Sequence, residues 1–281
     1  MPRINTNVSA MITGNALRSV GRDMQKSLEA LSTGLRINRA SDDAAGLSVS
    51  EQLKTQVTGL AMGDRNAQDG VALVNIAEGA LNEVESMIQR MRELSIQASN
   101  DTLTSVERGY VQVEFDQLRT EIDREVGGTQ YNGMNLLDGS APWGTTGGVL
   151  HVGANNVSAN DIVMVTIAGV NTNLLNISMN QNLFVTDQAS ASGAISRLDT
   201  ALSSVNTLRA YLGAITNRLE HAITNQENQN QNMTAAESTI RDADFAYETT
   251  QFSRNQIITQ SATAMLAQAN SLPQSILSLL K

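Results

Sequence analysis

Cysteine is absent from this chain of 281 residues. That removes disulfides, thiolate nucleophiles and Cys-ligated metal sites together. Aromatic residues are scarce, at 3% of a chain that is 41% hydrophobic. A compact core of this size normally leans on more Phe, Tyr and Trp. The apolar content is instead Ala, Leu, Val, Ile and Met, which suits interlocking helix seams. With only three prolines, long helices can run unbroken. No apolar run reaches about 18 residues, so nothing reads as a membrane span. Residues 1–17 are too polar for the apolar middle of a cleavable secretory signal. Positive charge is also in deficit: the formal net charge is −9. Nucleic acid is therefore not the expected partner, because phosphates need a basic face. Residues 1–40 are the exception, where Arg3, Arg18, Arg22, Lys26, Arg36 and Arg39 outnumber Asp23 and Glu29. A solvated helix face accounts for that run.

What is present is helical periodicity at both ends. Leu17, Val20, Met24, Leu28, Leu31 and Leu35 follow three-and-four spacing. Asn38 to Asp43 interrupts it, with Ser41 expected as an N-cap and Asp42 and Asp43 at the positive helix terminus. A long stripe follows through Leu53, Val57, Leu60, Ala67, Val71, Val74, Ala77, Leu81, Val84, Ile88, Met91, Leu94 and Ala98. Gly59, Gly63, Gly70 and Gly79 weaken that helix by propensity, so a neighbouring helix is expected to approach closely there. Thr104 and Glu107 form a capping-box pattern ahead of a third stripe, Val106, Tyr110, Val113, Leu118, Ile122 and Val126, which Gly127-Gly128 closes.

Between about 139 and 187 the character changes. Val149–Val152 and Ile162–Ile167 read as two strands, and the lone Trp143 lies beside them. Helical spacing resumes at Ile195 and continues through Leu219. The polar run from Asn225 to Asn232 holds no Gly or Pro and is read as helix. The last segment alternates four and three through Ile258, Ala262, Met265, Ala269, Leu272, Ile276 and Leu279, a heptad seam containing Pro273. Neither terminal helix can bury its stripe alone. They can pair with each other, and an open head-to-tail contact between identical pairs builds a helical polymer.

Several segments resemble the bacterial flagellins. Leu31-Ser32-Thr33-Gly34-Leu35-Arg36-Ile37-Asn38 and Ala40-Ser41-Asp42-Asp43-Ala44-Ala45-Gly46-Leu47 are similar to that family's N-terminal signature. So are Arg65-Asn66-Ala67-Gln68-Asp69-Gly70, Ala77-Glu78-Gly79-Ala80-Leu81 and Tyr131-Asn132-Gly133-Met134-Asn135-Leu136-Leu137. Ile240-Arg241-Asp242-Ala243-Asp244 and Ala267-Gln268-Ala269-Asn270-Ser271-Leu272-Pro273-Gln274-Ser275-Ile276-Leu277 resemble its C-terminus. The resemblance implies a mainly α fold: long antiparallel helices in coiled-coil bundles, with a small β-hairpin region in mid-chain. It implies a terminal coiled-coil domain from 1–40 and 240–281, a long-helix domain from 41–139 and 188–239, and a hairpin region over 140–187. It also implies a secreted, self-polymerising filament subunit without enzymatic activity, cofactor or metal. The expected polymerisation seam is Leu17, Val20, Met24, Leu28 and Leu31 with Ile258, Ala262, Met265, Ala269, Leu272, Ile276 and Leu279.

The implied partners are further copies, flagellar cap and hook-junction proteins, and an export chaperone at the C-terminal stripe. The implied route is the flagellum's own secretion apparatus. Gln89, Arg90, Glu93, Leu94 and Gln97, with Glu114, resemble the segment by which some flagellins engage an animal Toll-like receptor; a solvated helix face has the same spacing. Two other classes compete. An enzyme would need more than His151, His221 and the Asp42-Asp43 pair, none of which has metal-ligand spacing. A hook–filament junction protein would share the terminal helices, but such proteins tend to carry Asp-Asp-Pro where this chain has Asp42-Asp43-Ala44.

Overall fold

The computed structural model describes residues 6–140, 142–144, 146–157, 159–178 and 183–278, and from 272 to 278 the backbone alone. Its elements are α1 (Val8–Thr33), α2 (Ala44–Ala98), α3 (Ser105–Gly128), β1 (Gln130–Tyr131), β2 (Met134–Asn135), β3 (Gly148–His151), β4 (Ile162–Val165), α4 (Gln188–Arg241) and α5 (Phe245–Ser278). The chain folds as two units, one of residues 56–231 and one made from 1–55 with 232–281.

The 56–231 unit is a helical bundle with two hairpins. Pairings between α2 and α4 descend one helix as they climb the other: Arg92 to Asp199, then Glu85 to Arg209. The two helices are therefore antiparallel. α3 returns along α2, since Arg108 Nε donates to the Ala98 carbonyl at 2.9 Å and Arg90 Nε to Glu114 at 2.9 Å. Leu81, Val84, Ile88 and Met91 of α2 meet Phe115, Ile122 and Val126 of α3 and Leu198, Val205, Leu212 and Leu219 of α4 in one core. The run from Asn225 to Asn232 is helical, as its lack of Gly and Pro implies.

Two stripes depart from the sequence expectation. On α3, Val106, Tyr110 and Val113 are exposed, Tyr110 by 72%. Val111 and Phe115 face the core instead, so the inward stripe is set one position over from the one that periodicity picks out in the first two turns. On α2, the hairpin approaches the glycines most closely, and helix α4 stands behind it, with Gln226 Oε1 3.3 Å from a Cβ placed on Gly63 and Leu219 Cδ1 3.3 Å from one on Gly70. A Cβ on Gly63 would lie 2.3 Å from the Val152 carbonyl oxygen, and one on Gly70 would lie 2.5 Å from Leu150 Cδ1. Gly59 meets Ala154, while nothing approaches Gly79. The β3–β4 hairpin, registered Gly148↔Val165 to His151↔Ile162, thus lies directly on the α2 backbone. Asn66 Nδ2 holds it there by donating to the His151 carbonyl at 2.8 Å. Trp143 is buried against Gly148. Between β1 and β2, Asn132 and Gly133 take φ of 49° and 76°, the positive pair that a two-residue hairpin turn requires.

The Thr104 capping box forms in full. The Thr104 backbone N–H donates to Glu107 at 2.7 Å, and Thr104 Oγ1 accepts from the Glu107 N–H. Thr104→Ala is expected to lower the stability of the bundle by about 1 kcal/mol, read from the urea midpoint. The bond from the Thr104 N–H, then the one from its hydroxyl, holds the Glu107 carboxyl below its usual value. That contribution is complete above the unfolded-state value and fades as pH falls through the lower folded one. Glu107→Gln should show no such fading.

Candidate functional site

The terminal unit is built by α1 and α5. Asn7 caps α1 by accepting from the Ala10 N–H at 3.0 Å, and its Nδ2 donates to the Ala269 carbonyl at 2.8 Å. At the other end of α1, Gly34 takes φ 73° as a left-handed C-cap. There the Ala243 N–H donates to the Gly34 carbonyl at 2.9 Å, and the Arg36 N–H to that of Arg241 at 2.7 Å. Helix start thus meets helix end, and the pair is antiparallel.

The segment from Leu35 to Asp43 uses its carboxylates structurally. α2 begins at Ala44, and its cap is Asp43, whose side chain accepts from the Gly46 N–H at 2.9 Å. Ser41 is not the cap, because it stands three residues ahead of the helix. Asp42 accepts from the Asn38 and Arg39 N–H groups and pairs with Lys26 at 3.1 Å. The bond from Lys26, then that from the Arg39 N–H, draws its carboxyl below the usual range. Both acids of the Asp42-Asp43 pair are thereby occupied. Among the described residues no three His, Asp or Glu side chains converge to hold a metal, and no helix is long and apolar enough to cross a membrane.

On α1 the inward face runs Ala10, Thr13, Leu17, Val20, Met24, Ser27 and Leu31, an unbroken three-four alternation. Leu17, Val20, Met24 and Leu31 fall on it as their spacing implies. Leu28 does not: it is 55% exposed, and Ser27 takes the inward place. On α5 the inward face runs Asn255, Ile258, Ala262, Leu266 and Ala269. Met265 is 63% exposed, because the stripe steps by four from Ala262 to Leu266. The side chains of Leu272 and Ile276, and Leu279 entirely, lie outside the described residues. α5 continues through Pro273 without a break in its helical span.

This pair is too thin to satisfy itself. Only Ser27 and Ala30 of α1 and Asn255 of α5 are fully buried among the described side chains of the two helices. Val8, Met11, Ile12 and Leu28 on α1 stand in solvent, as do Phe245, Tyr247, Ile257 and Met265 on α5. Two apolar faces are left uncovered on these helices. Exposed apolar area of this extent marks an association surface.

The α2–α3 face holds the other candidate residues. The Arg90 guanidinium donates to Glu93 at 2.9 Å and to Glu114 at 2.9 Å. Glu93 first, then Glu114, raises the Arg90 pKa further above its ordinary value. Gln89 Nε2 donates to Glu85 at 3.1 Å, and Gln97 is exposed. Leu94 departs from this set. At 2% exposure it is a core residue, one position round the helix from Glu93, and it offers no surface to a partner.

The helical ends match two family models. The bacterial flagellin N-terminal helical region matches residues 4–141, and the C-terminal helical region matches 195–280. This chain belongs to the bacterial flagellin family. It is 44% identical to a flagellin of Halalkalibacterium halodurans over 283 residues, covering 99% of both chains. It is 42% identical to the flagellar filament 33 kDa core protein of Treponema phagedenis over 284 residues, again covering 99% of each. Among solved structures it resembles the Bacillus cereus flagellin at TM-score 0.50 and 30% identity, over 62% of this chain and 94% of that one. A putative flagellar hook-associated protein of Vibrio parahaemolyticus shares the fold at TM-score 0.57 and 15% identity, over 72% of this chain and all of that one. The full-length flagellin relatives decide between the filament and junction readings. As a flagellin, the chain is a structural subunit of the flagellar filament, an exported assembly, and it polymerises with its own kind.

Proposed function

We propose that the α1–α5 pair is the polymerising element of this flagellin. The observation that carries this reading is the double apolar exposure of a pair that buries almost nothing on its own. Electron microscopy of the concentrated protein, with and without residues 242–281, tests it. Filaments from the full chain and none from the truncated one are expected; filaments from both would overturn it. The role is mechanical, with no catalytic step, and the structural use of Asp42 and Asp43 supports that.

The same exposed α5 face supports two further partners. Before export an export chaperone covers it, since an uncovered apolar helix invites aggregation. At the filament ends the cap and hook-junction proteins meet it. The fold shared with the Vibrio hook-associated protein supports stacking of like helices there. Family membership supports export through the flagellum's own secretion apparatus.

The Arg90 network supports an animal Toll-like receptor as a contact of the monomer. Glu93 and Glu114 hold the guanidinium fork in one orientation before any partner arrives, which lowers the ordering cost on binding. Gln89 and Gln97 border it; Leu94, buried beneath, supports the helix only. Arg90→Ala is expected to lose about 1–3 kcal/mol of receptor affinity, and Glu114→Ala to lose less. A reporter-cell assay of the monomers checks this, and equal signalling by all three proteins refutes it.

A further inference from the structure

Two acceptors in the 56–231 unit are buried with nothing to accept from. Asp64 Oδ1 and Gln226 Oε1 are sealed from bulk solvent, and no donor in the described chain reaches either. Gln226 is only 6% exposed and stands seven residues beyond Leu219, where the heptad seam of α4 calls for an apolar side chain. Its amide cannot be reversed to relieve the fault. The nitrogen donates to the Val152 carbonyl, an acceptor, so the oxygen must face away from it. The other Asp64 oxygen is already served by Gln68 Nε2 at 3.0 Å. Gly63 lets these groups come together: a Cβ there would stand 3.3 Å from Gln226 Oε1.

Asp64 and Gln226 line one cavity of about 390 Å³, together with Arg65 on α2 and with Glu227, Asn230 and Gln231 on α4. An unpaired buried acceptor costs roughly 1–3 kcal/mol, more when it is charged. An occupant must therefore present positive charge or donors to two acceptors at once. Apolar and anionic ligands fail that condition. Ordered water is the competing occupant; the Glu227 carboxylate, exposed on the same cavity, favours a cation over it.

We propose that this cavity binds a hard cation, with Ca²⁺ the best-fitted ion, held by Asp64, the Gln226 amide oxygen and Glu227. The donors are all oxygen, which excludes a preference for zinc or copper. The carboxylates of Asp64 and Glu227 outweigh Arg65, so the cavity is net negative. Ca²⁺ takes carboxylate, amide oxygen and water together in a loose shell of about 6–8 ligands, whereas Mg²⁺ demands a near-ideal octahedron. Only two carboxylates, one of them the exposed Glu227, place the affinity in the range of about 10⁻⁴–10⁻³ M, that of extracellular calcium modules. The ion ties α2 to α4 where the apolar seam lapses, and stiffens that end of the bundle.

The test uses the full-length monomer, stripped with a chelator and melted in CaCl₂, MgCl₂ or NaCl at matched ionic strength. For a Kd near 1 mM, 10 mM CaCl₂ should raise Tm by about 3–5 °C. MgCl₂ should act less, and NaCl not at all. Asp64→Asn and Gln226→Leu should each abolish the response; the second restores an apolar seam and folds without the ion. As a check that needs no variant, MnCl₂ should broaden the wild-type amide resonances of Gly63, Asp64 and Gln226 before others. No calcium-specific shift, an equal shift in both variants, or broadening that begins elsewhere overturns the proposal and leaves ordered water as the occupant. Filament formation is not read, so failure here leaves the family assignment intact.

Discussion

Leu17→Asp is expected to remain monomeric at concentrations where the parent chain forms filaments, while its 56–231 unit melts as before. Leu17 is half-buried at the middle of the α1 inward face, between Thr13 and Val20. A carboxylate there loses water and gains no partner, a cost of several kcal/mol if it stays charged. The α1–α5 pair has little to set against that, because so few of its side chains are fully buried. The bundle keeps its own core, from Leu81 and Phe115 to Leu212, and does not depend on Leu17. Sedimentation and electron microscopy read the assembly, and far-UV melting reads the bundle. Met265→Asp separates two steps that Leu17→Asp merges. Met265 points out of the pair, so the pair should survive in the monomer and only the contact between copies should fail. Normal filaments from either variant would remove the corresponding face from the assembly surface.

Gly63 and Gly79 should respond to alanine with opposite sign. Both are helical positions of α2, where Gly→Ala contributes about 1 kcal/mol in the absence of other effects. At Gly79 nothing stands within 4 Å of the added carbon, so Gly79→Ala should raise stability by about 0.5–1 kcal/mol. At Gly63 the carbon would lie 2.3 Å from the Val152 oxygen and 2.8 Å from its carbonyl carbon. Both are backbone atoms of the hairpin, and no rotamer can move them aside. Gly63→Ala should therefore cost about 2–3 kcal/mol net, as overpacking does in a tight core, and Gly63→Val more. Trp143, packed on Gly148 at the start of the hairpin, supplies the signal. Its emission should shift to the red at lower urea in Gly63→Ala, and at higher urea in Gly79→Ala. A neutral Gly63→Ala would mean that the hairpin is free to lift from α2.

The electrostatic side of the molecule follows the same division between local and distant causes. The Thr104–Glu107 box is legible because both partners lie within one turn, and it forms as its pattern implies. The Arg90 network is half legible: Glu93 is three residues away on the same helix, but Glu114 arrives from another helix altogether. Arg209 is wholly tertiary, reaching from α4 to Glu78 and Glu85 on α2. No spacing in the sequence announces that link.

The chain's order of residues by itself determined the helices, the β3–β4 hairpin between them and the family. Those depend on periods of a few residues, on sparse Pro and on motifs whose parts are adjacent, all of which survive reading in one dimension. It also determined that the ends are amphipathic and incomplete, from the four-three spacing of Leu17 to Leu31 and of Ile258 to Ala269. Which neighbour in a stripe turns inward was settled only by packing. Leu28 yields to Ser27 and Met265 to Leu266, because a heptad face is about two residues wide and the partner helix picks between them. On α3 the inward set is Val111 and Phe115, and not Val106, Tyr110 and Val113, because the core lies to one side of a helix that is apolar on two. Leu94 is buried as its place in the α2 stripe implies, and not on the receptor-contact face that the resemblance gave it. The glycines of α2 were visible as weak points where a helix would come close, but it took the fold to show that the hairpin comes closer still than α4 does. The two orphaned acceptors of Asp64 and Gln226 belong to residues 162 positions apart in the chain (226 − 64). Local periodicity carries no information over such a separation, and only the antiparallel closure of α2 on α4 brings the two together.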